Sequence, residues 1–152
     1  MRNNLYAEVI LRLAPVALKT GKLVAATRSQ GRSYVTREDC ARTAAAALLN
    51  STGKAIYDVT GPAPVTHEQV AGVLSRLLGK SIQHVNVTPE EVEKGLVAAG
   101  IPQFAARGVR GLDEETSRGY HAIVTTTVTN LTGRVPVSVE TFLQTAVPAL
   151  MA

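Results

Sequence analysis

Apolar residues recur at helical spacing near the start of the chain, at Leu5, Val9, Leu13, Val16 and Ala17. They predict an amphipathic helix over residues 5–19. Pro15 should kink or delay that helix, and Gly21, between Lys19 and Lys22, should stop it. Residues 22–26 then read as a short strand, and 31–34 as a turn into a second one. Thr36 is placed as an N-cap, with Glu38 and Asp39 in the first turn of a helix over 37–49. That helix is rich in alanine, the best helix former.

Residues 54–60 read as a strand through Ile56, Tyr57 and Val59, and Gly61-Pro62-Ala63-Pro64 forces a turn. Thr66 and Gln69 fit a capping box ahead of a stripe of Val70, Val73, Leu74, Leu77 and Leu78, with Gly79 as the stop. Residues 82–87 alternate as a short strand. Thr88-Pro89-Glu90-Glu91 is a strong helix start, with Val92, Leu96 and Val97 expected inward and Gly100 ending the helix. The stretch 101–120 predicts short helical pieces, and 124–128 an extended or looped segment. Ser138 should cap a last helix carrying Val139, Phe142, Leu143, Ala146 and Leu150, frayed by Pro148. About four short strands alternating with helices predict a small α/β domain over residues 1–152.

Composition narrows the class. The chain has 152 residues, 45% hydrophobic and 18% charged, enough for a core without disulfide or metal staples. Its net charge of +4 is scattered, with no basic run and no interleaved aromatics, so nucleic acid is not an expected partner. Cys40 is the single cysteine, which excludes an intramolecular disulfide and suits a reducing cytoplasm. No stretch reaches the roughly 20 apolar residues of a membrane helix, and none resembles a secretory signal. A soluble cytoplasmic protein is the expectation.

Candidate chemistry is sparse. Gly108 and Gly111 are the nearest approach to a phosphate-cradling loop, but no strand precedes them and a third glycine is missing. His67, His84 and His121 lack metal-ligand spacing. His67 is expected at an exposed first turn and His84 as a satisfied structural histidine, while His121 beside Tyr120 is only weak evidence for a pocket contact. Glu90 and Glu91 are explained by capping. Cys40 reads as a small packed thiol, whose pKa the helix start would lower if it were exposed. No tyrosine has a lysine four residues on, so a reductase-type Tyr-Lys pair is absent. These residues supply no catalytic group.

Several stretches together resemble the C-terminal half of NmrA-like atypical short-chain dehydrogenases/reductases, of the NAD(P)H:quinone oxidoreductase type. Arg2-Asn3-Asn4-Leu5-Tyr6-Ala7-Glu8 is similar to an Arg-Asn-Gly-x-Tyr-x-Glu segment, with Asn4 in place of the glycine. Tyr34, Asp39 and Ala41 resemble an aromatic-to-Asp-x-Ala stretch ahead of an alanine-rich helix. Residues 57–80 resemble a Tyr-x-x-Thr-Gly-Pro unit ending in Leu-Gly-Lys. Residues 90–102 and 128–142 resemble the closing helix-Gly-x-Pro and Leu-x-Gly-Arg-x-Pro segments.

The resemblance implies an α/β fold, the C-terminal lobe of an extended Rossmann-type reductase without the Gly-rich nucleotide-binding half. It implies NAD(P)H as cofactor only where that half is supplied, whether it was removed, lies on another chain or precedes Met1. It implies that Asn3 and Tyr6 border a substrate pocket and that Phe104 covers the substrate. The function expected is the substrate side of a reductase for a quinone or similar small molecule, not catalytic alone. The alternative is a non-enzymatic binding or regulatory module that self-associates across the surface a Rossmann half would bury.

Overall fold

Thr66 and Thr88, the two capping boxes predicted from the sequence, are both fully formed. Each threonine accepts the N–H three residues on, and its own N–H donates to the Gln69 or Glu91 side-chain oxygen in return. They open helices α3 (His67–Leu78) and α4 (Pro89–Ala98) in the computed structural model, which describes residues 1–147. The expected roles of Pro148 and Leu150 lie outside the described residues.

The other elements are β1 (Arg2–Asn3), α1 (Val9–Thr20), β2 (Lys22–Ala25), α2 (Arg37–Asn50), β3 (Asp58–Val59), β4 (Gln83–Asn86), α5 (Gln103–Ser117), α6 (Thr127–Thr132) and α7 (Val139–Ala146). The strands form two parallel pairs, β1–β3 and β2–β4. Arg2 lies opposite Asp58 in the first, and Lys22 to Ala25 run opposite Gln83 to Asn86 in the second. The fold is the α/β lobe expected, with few short strands among several helices.

The main core joins Ile10, Ala14 and Ala17 of α1 to Leu23, Tyr34, Val70 and Leu74, closed by Val139 and Leu143 of α7. A smaller cluster of Val35, Cys40, Val59 and Val128 packs under Tyr6. Asp39, 1% exposed, ties these regions together, since one oxygen accepts the Thr36 hydroxyl at 2.8 Å and the Val137 N–H at 2.9 Å.

The structure corrects several expectations. Helix α1 starts at Val9 rather than Leu5, because Tyr6 and Ala7 are engaged with Val35. Its buried face is Ile10, Ala14 and Ala17, while Val16 is 61% exposed. Pro15 sits inside the helix without ending it, on its exposed side. The short strand β1 was not predicted; two residues carry no period. The second expected strand is reduced to single bridges, Tyr6 to Val35 and Arg32 to Val65, because the Ser33 N–H is taken by the His121 carbonyl. The strand expected over 54–60 shrinks to Asp58–Val59.

Residues 103–117 form one continuous helix despite Gly108 and Gly111, since α5 packs along α4. Arg110 meets Glu90 and Glu93 of α4 across that contact and Glu114 within its own helix. Val128, expected in an extended segment, lies in α6. Val97, expected inward, is 44% exposed.

Gly61 is required by a close approach rather than by its dihedral angles. A Cβ there would lie 1.8 Å from the Tyr34 carbonyl oxygen, and its N–H donates to the Ser33 carbonyl at 3.1 Å.

Candidate functional site

Ligands in open α/β sheets bind beyond the carboxyl ends of parallel strands. One stretch of chain, the end of α5 and the turns after it, serves both carboxyl edges here. Across the β1–β3 edge, the His121 carbonyl accepts from Asn4 Nδ2 at 3.1 Å and from the Ser33 N–H at 2.9 Å. Thr125 holds the other strand, donating its N–H to Thr60 Oγ1 at 2.9 Å and its hydroxyl to the Asp58 carbonyl at 2.7 Å. Beyond the β2–β4 edge lies a cleft of ≈ 380 Å³ bordered by Ala26, Arg28, Asn86, Thr88, Glu91 and Ser117.

A buried ion pair underlies both edges. Arg32 Nη2 meets Asp113 Oδ1 at 2.6 Å, with side chains 7% and 4% exposed. The other Asp113 oxygen accepts the Ala26 N–H at 2.7 Å. Arg32 Nε donates to Thr116 Oγ1 at 2.7 Å, and Thr116 Oγ1 meets His121 Nδ1 at 2.8 Å. Asp113 and Thr116 share a helix face because they are three residues apart. Removing two charges from water costs several kcal/mol per ion, which only good geometry and further hydrogen bonds repay. Here the carboxylate has the guanidinium and a backbone N–H, so the pair clamps α5 to the end of β2 and to the extended segment at Arg32. Burial raises the Tyr34 pKa in spite of Arg32 beside it.

The histidines gather around this pair. His67 is 3% exposed, not exposed as expected, and its Nδ1 lies 3.1 Å from Thr27 Oγ1. Burial, reinforced by the Arg32 charge and by His84, pushes its pKa down to about 3. His84 stacks on it with ring centroids 5.6 Å apart. It is less satisfied than expected, because its Nε2 is buried without a hydrogen-bond partner. Burial lowers the His84 pKa, opposed by a hydrogen bond with the Ala25 backbone. His121 is likewise lowered, first by burial and then by Arg32, against Glu115.

Asn3 and Tyr6 are brought together: Asn3 Nδ2 donates to the Tyr6 hydroxyl at 3.2 Å. The Arg37 guanidinium lies 5.3 Å from the Tyr6 ring centroid, and the Arg37 N–H is held by Glu8 at 2.9 Å. Phe104 is 81% exposed at the start of α5. The helical rise separates its position from Ser117 by roughly 20 Å, so it stands at the far end of α5 from the Asn4–His121 contact.

Arg32, Asp113 and Thr116 were not singled out by sequence. Their one signal was the three-residue spacing of Asp113 and Thr116, hidden by the expectation of broken helical pieces. Gly108 and Gly111 lie within α5, away from any loop that could cradle phosphate. Glu91 belongs to its capping box and Glu93 to Arg107 and Arg110. Cys40 is buried as expected; burial, with Asp39 and Glu8 nearby, pushes its pKa up to about 11. Among the described residues, no group of three or more His, Cys, Asp or Glu is placed to hold a metal ion, and no helix is long and apolar enough to cross a membrane.

No protein-family model matches the chain. It is 28% identical over 123 residues to an uncharacterized oxidoreductase, YesF, of Bacillus subtilis, covering 80% of this chain and 43% of that protein. It is 29% identical over 121 residues to quinone oxidoreductase 2 of Escherichia coli, covering 78% of this chain and 42% of that one. Its fold superposes on the crystal structure of an NADPH-dependent quinone oxidoreductase from Escherichia coli with a TM-score of 0.88 at 25% identity, over 99% of this chain and 54% of that one. A second structure of that enzyme is complexed with NADPH. The chain thus spans about half the length of the proteins it matches. It is a homologue of the NAD(P)H quinone oxidoreductase-like and NmrA-like reductases, and it matches their C-terminal portion.

Proposed function

We propose that this chain forms the substrate side of an NAD(P)H-dependent reductase for a quinone or similar small molecule, and that it turns over no substrate without a nucleotide-binding half. The observation that carries the reading is the superposition of nearly the whole chain on about half of an NADPH-dependent quinone oxidoreductase. NAD(P)H, held by the other half, would supply the hydride.

The residues of this chain would bind and orient the acceptor. Tyr6 receives the Asn3 Nδ2 hydrogen, which leaves its own hydroxyl proton free to donate to a substrate carbonyl oxygen. The Asn4–His121 and Thr60–Thr125 hydrogen bonds hold the edge on which that oxygen would rest. Phe104, at the far end of α5 from this edge, is outside the contacts assigned to the acceptor in this reading.

The test compares the chain alone with the chain mixed with a separately produced nucleotide-binding half, by NADPH fluorescence titration and quinone reduction. Neither binding nor turnover is expected alone, and both are expected on mixing. Turnover by the chain alone would overturn the division of labour. No turnover on mixing, with a complex shown to form, would overturn the reductase reading.

Leu48, Leu49 and Ile56 are 86%, 84% and 67% exposed, and exposed apolar side chains of this size favour a covering partner. This supports either the other half or, in the alternative reading, a second copy in a non-enzymatic module. A monomer by light scattering would count against self-association. The lone buried thiol of Cys40 suits a reducing cytoplasm as the setting of both readings.

A further inference from the structure

The cleft beyond β2 and β4 has its own chemistry, separate from Asn3 and Tyr6. Its size, ≈ 380 Å³, falls at the small end of ligand pockets. Arg28 is the one basic residue lining it and, among the described residues, forms no ion pair.

A count of hydrogen-bonding capacity shows what is left over. Asn86 uses Oδ1 to accept the Arg28 N–H at 2.7 Å, so its Nδ2 remains as a donor. The Thr88 hydroxyl donates to Glu91 Oε2 and accepts the Glu91 N–H. Ser117 spends its proton on the Glu114 carbonyl at 2.8 Å. Glu91 spends Oε2 on the Thr88 N–H and hydroxyl, which also hold its carboxyl below the usual range. The donors still free are the Arg28 guanidinium and the Asn86 amide, both suited to an anionic acceptor, while Glu91 Oε1 is left as a charged acceptor on the same cleft and sets one negative charge against an entering anion.

The Arg28 backbone adds a second line of argument. With φ 55°, it is the one non-glycine residue among the described residues in the left-handed region. Glycine would adopt that conformation without strain, and the Asn86 side chain holds it in place. The turn therefore accepts a backbone penalty while presenting a guanidinium to the cleft.

We infer that this cleft is a second subsite that takes an anionic substituent of the substrate, a carboxylate, sulfonate or phosphate, on Arg28 and the Asn86 amide. Only the identity of the attached ring rests on the reductase reading. Ser117 borders the cleft, and the adjoining Thr116 holds His121, whose carbonyl reaches Asn4. The two subsites thus share the end of α5.

The test is a titration of the full chain, followed by NMR chemical shifts, with 1,4-naphthoquinone-2-sulfonate, menadione and benzenesulfonate. The sulfonated quinone should bind at least tenfold tighter than menadione, with shifts at Arg28, Asn86 and Ser117, and its advantage should shrink as salt is raised. Arg28→Gly removes the guanidinium while relieving the backbone, so it should keep the parent's thermal midpoint and menadione affinity but lose the tenfold advantage. Equal binding of the two quinones, or an advantage surviving in Arg28→Gly, overturns the anion subsite and leaves the quinone reading standing. Binding of benzenesulfonate through Arg28 with no binding of either quinone supports the subsite and counts against the quinone reading. No binding of any probe overturns the subsite.

Discussion

Removing the Asp113 carboxylate should be among the most damaging single changes in this chain. Asp113→Ala would leave the Arg32 guanidinium, whose side chain is 7% exposed, without its 2.6 Å partner. It would also strip the Ala26 N–H of the acceptor it meets at 2.7 Å. Breaking one side of a buried pair costs about 3–5 kcal/mol, because the surviving charge stays in a poorly solvating site. The orphaned amide adds about 1–3 kcal/mol. Against a total stability of about 5–15 kcal/mol for a typical domain, that is a large fraction. At about 2–4 °C per kcal/mol for a chain of this size, the thermal midpoint should fall by at least about 8 °C.

Urea unfolding followed by far-UV circular dichroism measures it, on the parent, Asp113→Ala, Arg32→Met and the Arg32→Met/Asp113→Leu double variant. The double variant should recover much of the loss, because no buried charge remains and the space stays filled. The reasoning fails if Asp113→Ala lies within about 1 kcal/mol of the parent. It also fails if the double variant loses the sum of the single losses, since the cost would then come from packing rather than from an unpaired charge.

Three further outcomes follow from single sites. His67 has a folded pKa of about 3 against an ordinary 6.5, so its contribution is complete above pH 6.5 and declines as pH falls toward 3; between pH 7 and pH 5 it should cost the fold about 2 kcal/mol, visible as a lower urea midpoint, and His67→Gln should flatten that slope. Gly61→Ala would drive a Cβ to 1.8 Å from the Tyr34 carbonyl oxygen; a loss of about 3 kcal/mol is expected on denaturation, and a neutral result would mean that the 33–35 segment moves freely. Cys40, buried with its pKa pushed up to about 11, should resist a thiol reagent at pH 8 until the protein unfolds; labelling of the native chain as fast as a free thiol would show that α2 opens readily.

The legible parts of the fold were those decided within a few residues. Thr66, Thr88 and Ser138 cap the helices predicted for them, because a hydroxyl and the N–H three residues on are brought together by local backbone geometry alone. Gly21 and Gly79 end helices in the left-handed conformation that glycine tolerates. Strand 22–26 was nearly right, because its alternation matches a half-buried edge. Strand 54–60 was too long, since only Asp58 and Val59 find a partner, and the partner, Arg2–Asn3, lies more than fifty residues earlier. The glycines of α5 predict short helical pieces, whereas packing on α4 outweighs their cost of about 1 kcal/mol each.

Sequence alone determined the α/β class, the caps of α2, α3, α4 and α7, and a resemblance that the comparisons bear out. Asn3 and Tyr6, which the resemblance implies at a substrate pocket, are three residues apart and hydrogen-bonded to each other in the structure. Tertiary structure alone decided that Arg32 finds Asp113 eighty-one residues on, that His67 is buried rather than exposed, and that Arg28 faces a cleft made from β2, β4 and the end of α5. The reason is physical. Capping and helical periodicity are set by neighbours along the chain, whereas desolvation and charge pairing depend on which distant segments exclude water from the same small volume.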